Sequence, residues 1–168
     1  MGDQDPPAAA SSGRLSARER FLAGVEALGL TPEILRFPEG TRTAEQAAAA
    51  VGCELGQIVK SLVFLCDGEP VLALTSGSNR VNTKRLGTLL GGKISRADAD
   101  GVREATGYAI GGTPPFGHAQ SLRAVVDPAL LAYDIVWAAA GTPDTVFKLT
   151  PEQLVQASGA EVAEFAAD

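Results

Sequence analysis

Two aliphatic runs, QIVKSLVFLC and PVLALTS, are separated by little more than Asp67-Gly68. Asp-Gly between such runs is a strong local hairpin signal, because the tight primed turn needs positive φ at both central positions, and Asp and Gly tolerate it. The runs are therefore expected to pair antiparallel, and the rest of the chain must be arranged around that pair. One residue in the first run breaks its character. At period two, Ile58, Lys60, Leu62 and Phe64 share one face and Val59, Ser61, Val63 and Leu65 the other, so neither face reads as solvent. A buried ammonium costs several kcal/mol unless it is paired, so one reading lays the Lys60 stem along apolar neighbours and opens the amine into a cleft. The other is a lysine that snorkels from the strand's first turn.

The flanking segments read as helices and short strands. Ser16 with Glu19, Thr43 with Gln46, and Thr150-Pro151 with Gln153 each make a capping-box pattern ahead of a helix. Asn82 caps a helix through Leu90, and a polar helix is expected over about 97–105. Further strands are predicted from Ile34 to Phe37, Lys93 to Ser95, Leu122 to Val126, Ile135 to Ala139 and Thr145 to Leu149, with a short helical turn near Pro128. The fold expected is a mixed α/β single domain, a mostly antiparallel mixed sheet flanked by helices, rather than a doubly wound fold. Residues 1–13, rich in Pro, Ala, Ser and Asp, read as a disordered tail, and 14–168 as the domain.

Composition excludes several functions. The chain has two cysteines whose spacing fits neither a zinc knuckle nor a CxxC pair, and one histidine, so neither a metal nor another cofactor is expected. With no apolar run of spanning length and no signal-peptide pattern, the expectation is a cytoplasmic protein with no membrane partner. A net charge of -6 argues against a general nucleic-acid coat, though not against a local basic face. Arg80, Lys84, Arg85, Lys93, Arg96 and Arg103 gather in one stretch, either as a solvated surface or as phosphate contacts, and Asp98, Asp100 and Glu104 dilute them. No GxSxG elbow, GxxxxGK[ST] or GxGxxG is present.

What remains is the segment GYAIGGTPPFGH. Gly111 and Gly112 let a ligand approach the main chain, while Pro114 and Pro115 stiffen the loop and remove competing donors. Backbone N–H groups held this way can orient a carbonyl or stabilise an oxyanion; the plain alternative is a tight connection between elements. His118 follows the loop and is either a general base or structural.

The strand IVKSLVF, the segment TSGSNRVNTKRL, the loop GYAIGGTPPFGH and the ending AGTPDTVFKLTPEQL resemble, in order, the YbaK-like aminoacyl-tRNA deacylases, which include the editing domain of bacterial prolyl-tRNA synthetases. The resemblance spans roughly Ala17 to Gly159. The family's strand lysine and GxxxP loop map onto Lys60 and onto Gly111 through Pro115. It implies hydrolysis of the ester between an amino acid and the tRNA 3′ ribose, with water or the substrate's own side chain as nucleophile. Lys60 would anchor phosphate or ribose oxygens, Gly111 and Gly112 would hold the aminoacyl group, and Pro115 would fix the loop. Ser78, Asn79, Asn82, Thr113, Pro114, His118 and Asp144 are the further substrate-binding candidates. The implied activity is trans-editing of a mischarged tRNA, above all tRNA-Pro carrying Ala, Cys, Ser or Thr. The implied partners are the aminoacyl-tRNA acceptor end and an aminoacyl-tRNA synthetase. A non-catalytic module that holds a tRNA end or an aminoacyl group is the alternative.

Overall fold

The hairpin forms as the sequence requires. In the computed structural model, which describes residues 16–37 and 43–167, β2 (Val59–Cys66) and β3 (Glu69–Ser76) pair antiparallel from Cys66 opposite Glu69 to Val59 opposite Ser76. The turn residues Asp67 and Gly68 have φ of 50° and 86°, the doubly positive geometry that an Asp-Gly dipeptide accommodates. The segment expected to be a disordered tail lies outside the described residues.

Ahead of the hairpin come α1 (Ala17–Ala27), β1 (Ile34–Arg36), α2 (Ala44–Val51) and a 3-10 turn (Leu55–Gln57). After it come α3 (Thr83–Leu90), β4 (Ile94–Arg96), α4 (Ala99–Thr106), β5 (Arg123–Val126), a 3-10 turn (Pro128–Ala132), β6 (Val136–Ala139), β7 (Thr145–Leu149), α5 (Pro151–Ser158) and β8 (Glu161–Val162). The three predicted capping boxes are all formed, at Ser16/Glu19, Thr43/Gln46 and Thr150/Gln153. Four starts fall later than the sequence suggests, β5 and β6 by one residue each, and the other two have local reasons. Lys93 exchanges hydrogen bonds with Asp67, its N–H to the carboxylate and its carbonyl to the Asp67 N–H, so β4 begins one residue on. Asp98 accepts the Gly101 N–H as an N-cap, so α4 starts at Ala99.

The strands form two sheets, in the orders β4-β2-β3-β5-β8 and β1-β7-β6. All pairings are antiparallel except β3 with β5 and β5 with β8, which gives the mixed, mostly antiparallel α/β domain expected. An isolated parallel bridge between Ile58 and Trp137 joins the sheets beside the start of β2.

The faces of β2 and β3 sort the core. Val59, Val63, Leu72 and Leu74 enter the main cluster, together with Phe21 of α1, Phe116 and Phe147. These three rings meet at centroid distances of 5.1–5.7 Å, Phe21 stacked on Phe116 and Phe147 edge-on to Phe116, so the Gly-Pro loop is anchored in the core through Phe116. On the other face, Phe64, Val71 and Ala73 pack under Leu86 and Leu90 of α3, while Ile58 packs with Ala47 and Ala48 of α2. Lys60 lies between these two smaller clusters, on the face that α2 and α3 cover from either end.

Gly77 sets the path of the chain just after β3. Its N–H donates to the Ile58 carbonyl at 2.7 Å, and a β-carbon there would sit 2.5 Å from the Leu55 carbonyl oxygen and 3.2 Å from the β-carbons of Ala44 and Ile58. Gly77→Ala should therefore behave as an overpacking change and cost about 1–3 kcal/mol. Urea unfolding should show a lower midpoint at constant slope; an unmoved midpoint would show that the turn has room to spare.

Candidate functional site

Lys60 reaches the end of its own hairpin. Its Nζ donates to the Asn79 carbonyl at 2.6 Å, across the turn that follows β3. Half-burial lowers the Lys60 pKa from the ordinary lysine value, and the neighbouring Arg80 guanidinium lowers it further. Glu45 on α2 and Asp127 oppose that shift from the other sides. The ammonium therefore sits between cation and carboxylates at the mouth of an otherwise apolar strand face, with one backbone carbonyl as its partner.

The turn that supplies this carbonyl is itself tied down. Asp127, which is 2 % exposed, accepts the Ser76 N–H at 3.2 Å and the Asn79 Nδ2 at 2.9 Å through one oxygen, and the Ala129 N–H at 2.9 Å through the other. Ser76 Oγ donates to the Gly56 carbonyl at 2.8 Å and lies 3.1 Å from Ser78 Oγ. Lys60, Ser78 and Asn79 are thus brought into one hydrogen-bonded group. Asn82 is adjacent in sequence but differently used, since its Oδ1 caps α3 by accepting the Arg85 N–H at 3.0 Å.

The second group is the Gly-Pro loop. Gly112, Thr113, Pro114, Pro115 and Phe116 are buried, while Gly111 is exposed with φ of 85°. The Gly112 N–H donates to the Ala109 carbonyl at 2.9 Å, and Thr113 Oγ1 donates to the same oxygen at 3.2 Å. That N–H is thus used within the loop, whereas the Gly111 N–H has no partner among the described residues. His118 donates from Nε2 to the Pro114 carbonyl at 2.7 Å, and burial holds its pKa below the ordinary histidine value. A carbonyl only accepts, so the imidazole carries its proton on Nε2 and acts as a brace of the loop. Tyr108 adds a second brace, its hydroxyl donating to the Gly117 carbonyl at 3.1 Å.

Against this loop lies the turn after β6. A β-carbon on Gly112 would stand 2.9 Å from the Thr142 backbone, so the two main chains meet where only glycine fits. In that turn Thr142 Oγ1 donates to Asp144 Oδ1 at 2.7 Å, and Arg36 Nε donates to Asp144 Oδ2 at 3.0 Å. These bonds, the Thr142 one first, hold the Asp144 carboxyl below the usual carboxylate range. The two groups are linked through strands. The parallel Ile58–Trp137 bridge sets β6 beside the start of β2, so that β6 runs alongside Lys60 before the chain turns through Gly141 to Asp144 onto the Gly-Pro loop.

Asp127, Glu45 and Thr142 are the contributors that sequence patterns did not single out. Asp127-Pro128 reads only as the start of a helical turn; the one clue to more was a carboxylate directly after an aliphatic strand, a position where it can cap neighbouring N–H groups.

Comparison with known proteins is consistent along the whole domain. The aminoacyl-tRNA editing domain family matches residues 38–157. A solved structure described as a proposed trans-editing enzyme for prolyl tRNA synthetase superposes with a TM-score of 0.86 at 44% identity, covering 92% of this chain and 100% of that one. The uncharacterized protein YwhH of Bacillus subtilis (strain 168) is 32% identical over 131 residues, 77% of this chain and 83% of its own length. A proline–tRNA ligase of Maridesulfovibrio salexigens is 39% identical over 79 residues, which is 46% of this chain but only 14% of the ligase. The family match over most of the chain and the shared fold agree, and the chain belongs to the aminoacyl-tRNA editing domain family.

Proposed function

We propose that this protein is a trans-editing deacylase that hydrolyses the ester of a mischarged tRNA, with tRNA-Pro carrying Ala, Cys, Ser or Thr as the substrate group. The observation that carries the reading is the Lys60 ammonium, emerging from an apolar strand beside Arg80. Two cations that raise each other's energy are relieved by an anion between them, and the terminal phosphodiester of a tRNA is such an anion. Family membership and the likeness to a proposed trans-editing enzyme for prolyl tRNA synthetase support the substrate class.

In this mechanism Lys60 anchors the phosphate or ribose oxygens of the terminal adenosine as a point charge. The aminoacyl group lies at the exposed end of the Gly-Pro loop, beside the Thr142–Asp144 turn, where the Gly111 N–H is a loop donor free to meet its carbonyl. Water attacks the carbonyl carbon, the tetrahedral oxyanion is held by backbone N–H, and the bond to the ribose oxygen breaks to give free amino acid and uncharged tRNA. With a cysteinyl ester the substrate thiol attacks its own carbonyl instead and leaves as a thiolactone. Pro115 and the buried Phe116 keep the loop in place, so that catalysis rests on positioning. The reaction needs a supply of aminoacyl-tRNA, which makes the cytoplasm the compartment and a synthetase the natural neighbour.

The direct test uses tRNA-Pro charged separately with Ala, Cys, Ser, Thr and Pro. Loss of ester from a mischarged species but not from Pro-tRNA, with at least a roughly hundredfold lower rate for Lys60→Ala, is expected. Binding without turnover across the panel would instead identify a holding module. Gly112→Ala should reduce turnover as well, because the added methyl separates the two loops; wild-type rates in that variant would remove the loop contact from the mechanism.

The charge state of Lys60 gives an opposite pair of pH effects. Its folded pKa lies below the unfolded value, so the unfolded chain binds more protons between the two and stability from this group rises with pH through that window. Anchoring needs the charged form, so kcat/KM, corrected for spontaneous ester hydrolysis, should fall as pH rises through the folded value. An alkaline limb that survives unchanged in Lys60→Ala would assign it to another group.

A further inference from the structure

Asp127 carries more hydrogen bonds than a turn of this size requires. It lies at the end of β5, immediately before Pro128, and its carboxylate is almost completely removed from solvent. One N–H partner, that of Ala129, belongs to its own 3-10 turn, which an N-cap serves anyway. The other two, the Ser76 N–H and the Asn79 side-chain amide, belong to the far end of β3 and the turn that follows it. That turn is closed by the Asn79 N–H donating to the Ser76 carbonyl at 2.9 Å, and its outer carbonyl, that of Asn79, is the acceptor for Lys60.

We propose that Asp127 is a positioning residue for Lys60: its carboxylate clamps both ends of the Ser76–Asn79 turn and so fixes the carbonyl on which the ammonium rests. The proposal rests on the anchoring role given to Lys60 above. The chain of contacts runs from carboxylate to amide side chain to backbone carbonyl to ammonium, without a solvent-exposed link at the carboxylate. A buried acceptor of this kind is costly if left unmatched, so any rotation of the turn that swung the Asn79 carbonyl away would strand it. The clamp therefore gives the turn one arrangement, and a lysine stem with four rotatable bonds is aimed by its far end. Loss of the clamp would leave Lys60 present but poorly directed, a defect that falls on turnover when catalysis depends on position.

The charges that face Lys60 are Arg80 from the segment before α3, Glu45 from α2 and Asp127 itself. Asp127→Asn keeps the shape of the side chain but removes its charge and replaces one acceptor oxygen with a donor. Lys60 titration is read without any tRNA, by competitive acetylation across pH and mass spectrometry of the peptide. The expected results for folded Asp127→Asn are a Lys60 midpoint at lower pH than in the parent chain and a kcat/KM lower by about tenfold to a hundredfold. An unmoved midpoint in the folded variant overturns the proposal, whether or not the parent chain cleaves any aminoacyl-tRNA. Absence of turnover in the parent with a shifted midpoint would fault the deacylase reading alone. If circular dichroism shows Asp127→Asn unfolded, Asn79→Ala decides, since it keeps the carbonyl and the Asp127 charge but cuts the amide link. An unchanged kcat/KM in Asn79→Ala overturns the clamp, and a loss of about tenfold or more upholds it.

Discussion

The hydrogen-bond register of the β2–β3 hairpin governs the rest of the molecule. Asp67 and Gly68 close it with paired positive φ values, and eight residues of each strand then follow in step. Side chains alternate strictly across a sheet, so a slip of one residue on β2 would drive Lys60 into the main core and turn Val59 and Val63 toward α2 and α3. Burying the ammonium in that core without a partner makes the slip costly. The register is thus what sets Lys60 opposite Thr75, one pair from the turn that receives its ammonium.

Around that hairpin the protein treats buried Asp127 and half-buried Lys60 differently. Asp127 is surrounded by donors and is a structural joint, whereas Lys60 has one carbonyl and a repelling neighbour. A charge satisfied by the fold has nothing left to offer a ligand. A charge left partly unsatisfied keeps free energy available for binding, and the fold bears the desolvation until the ligand arrives. The same contrast appears within the Gly-Pro loop, where the Gly112 N–H closes a turn and the Gly111 N–H is left open.

Much of this was legible in the sequence because it is local. The Asp-Gly hairpin, the capping boxes at Ser16, Thr43 and Thr150, and the strand Thr145–Leu149 follow from short-range chemistry and appear where expected. The parallel pairings of β5 with β3 and of β8 with β5 were not legible, because they depend on which distant segments meet. The site divides in the same way. Lys60 was conspicuous as a cation in an apolar run, but its acceptor is a backbone carbonyl 19 residues away, and no side-chain pattern announces a carbonyl. Asp127 and Thr142 were silent for the same reason, since each acts through contacts that only the folded chain creates. Asn82 was legible as the cap of α3 and serves as that cap, while His118, which the sequence left as either a base or a structural residue, is engaged as a loop brace.

The seam between the two sheets has an optical consequence. Trp137, the single tryptophan of the chain, stands half-buried at the Ile58 bridge, two residues along β2 from Lys60, with the small apolar cluster of α2 against it. Its indole is therefore a native fluorophore placed where the sheets would part if the site were to open. Emission wavelength and quenching by small solutes can follow that seam in the unlabelled protein, with no second tryptophan to obscure the signal.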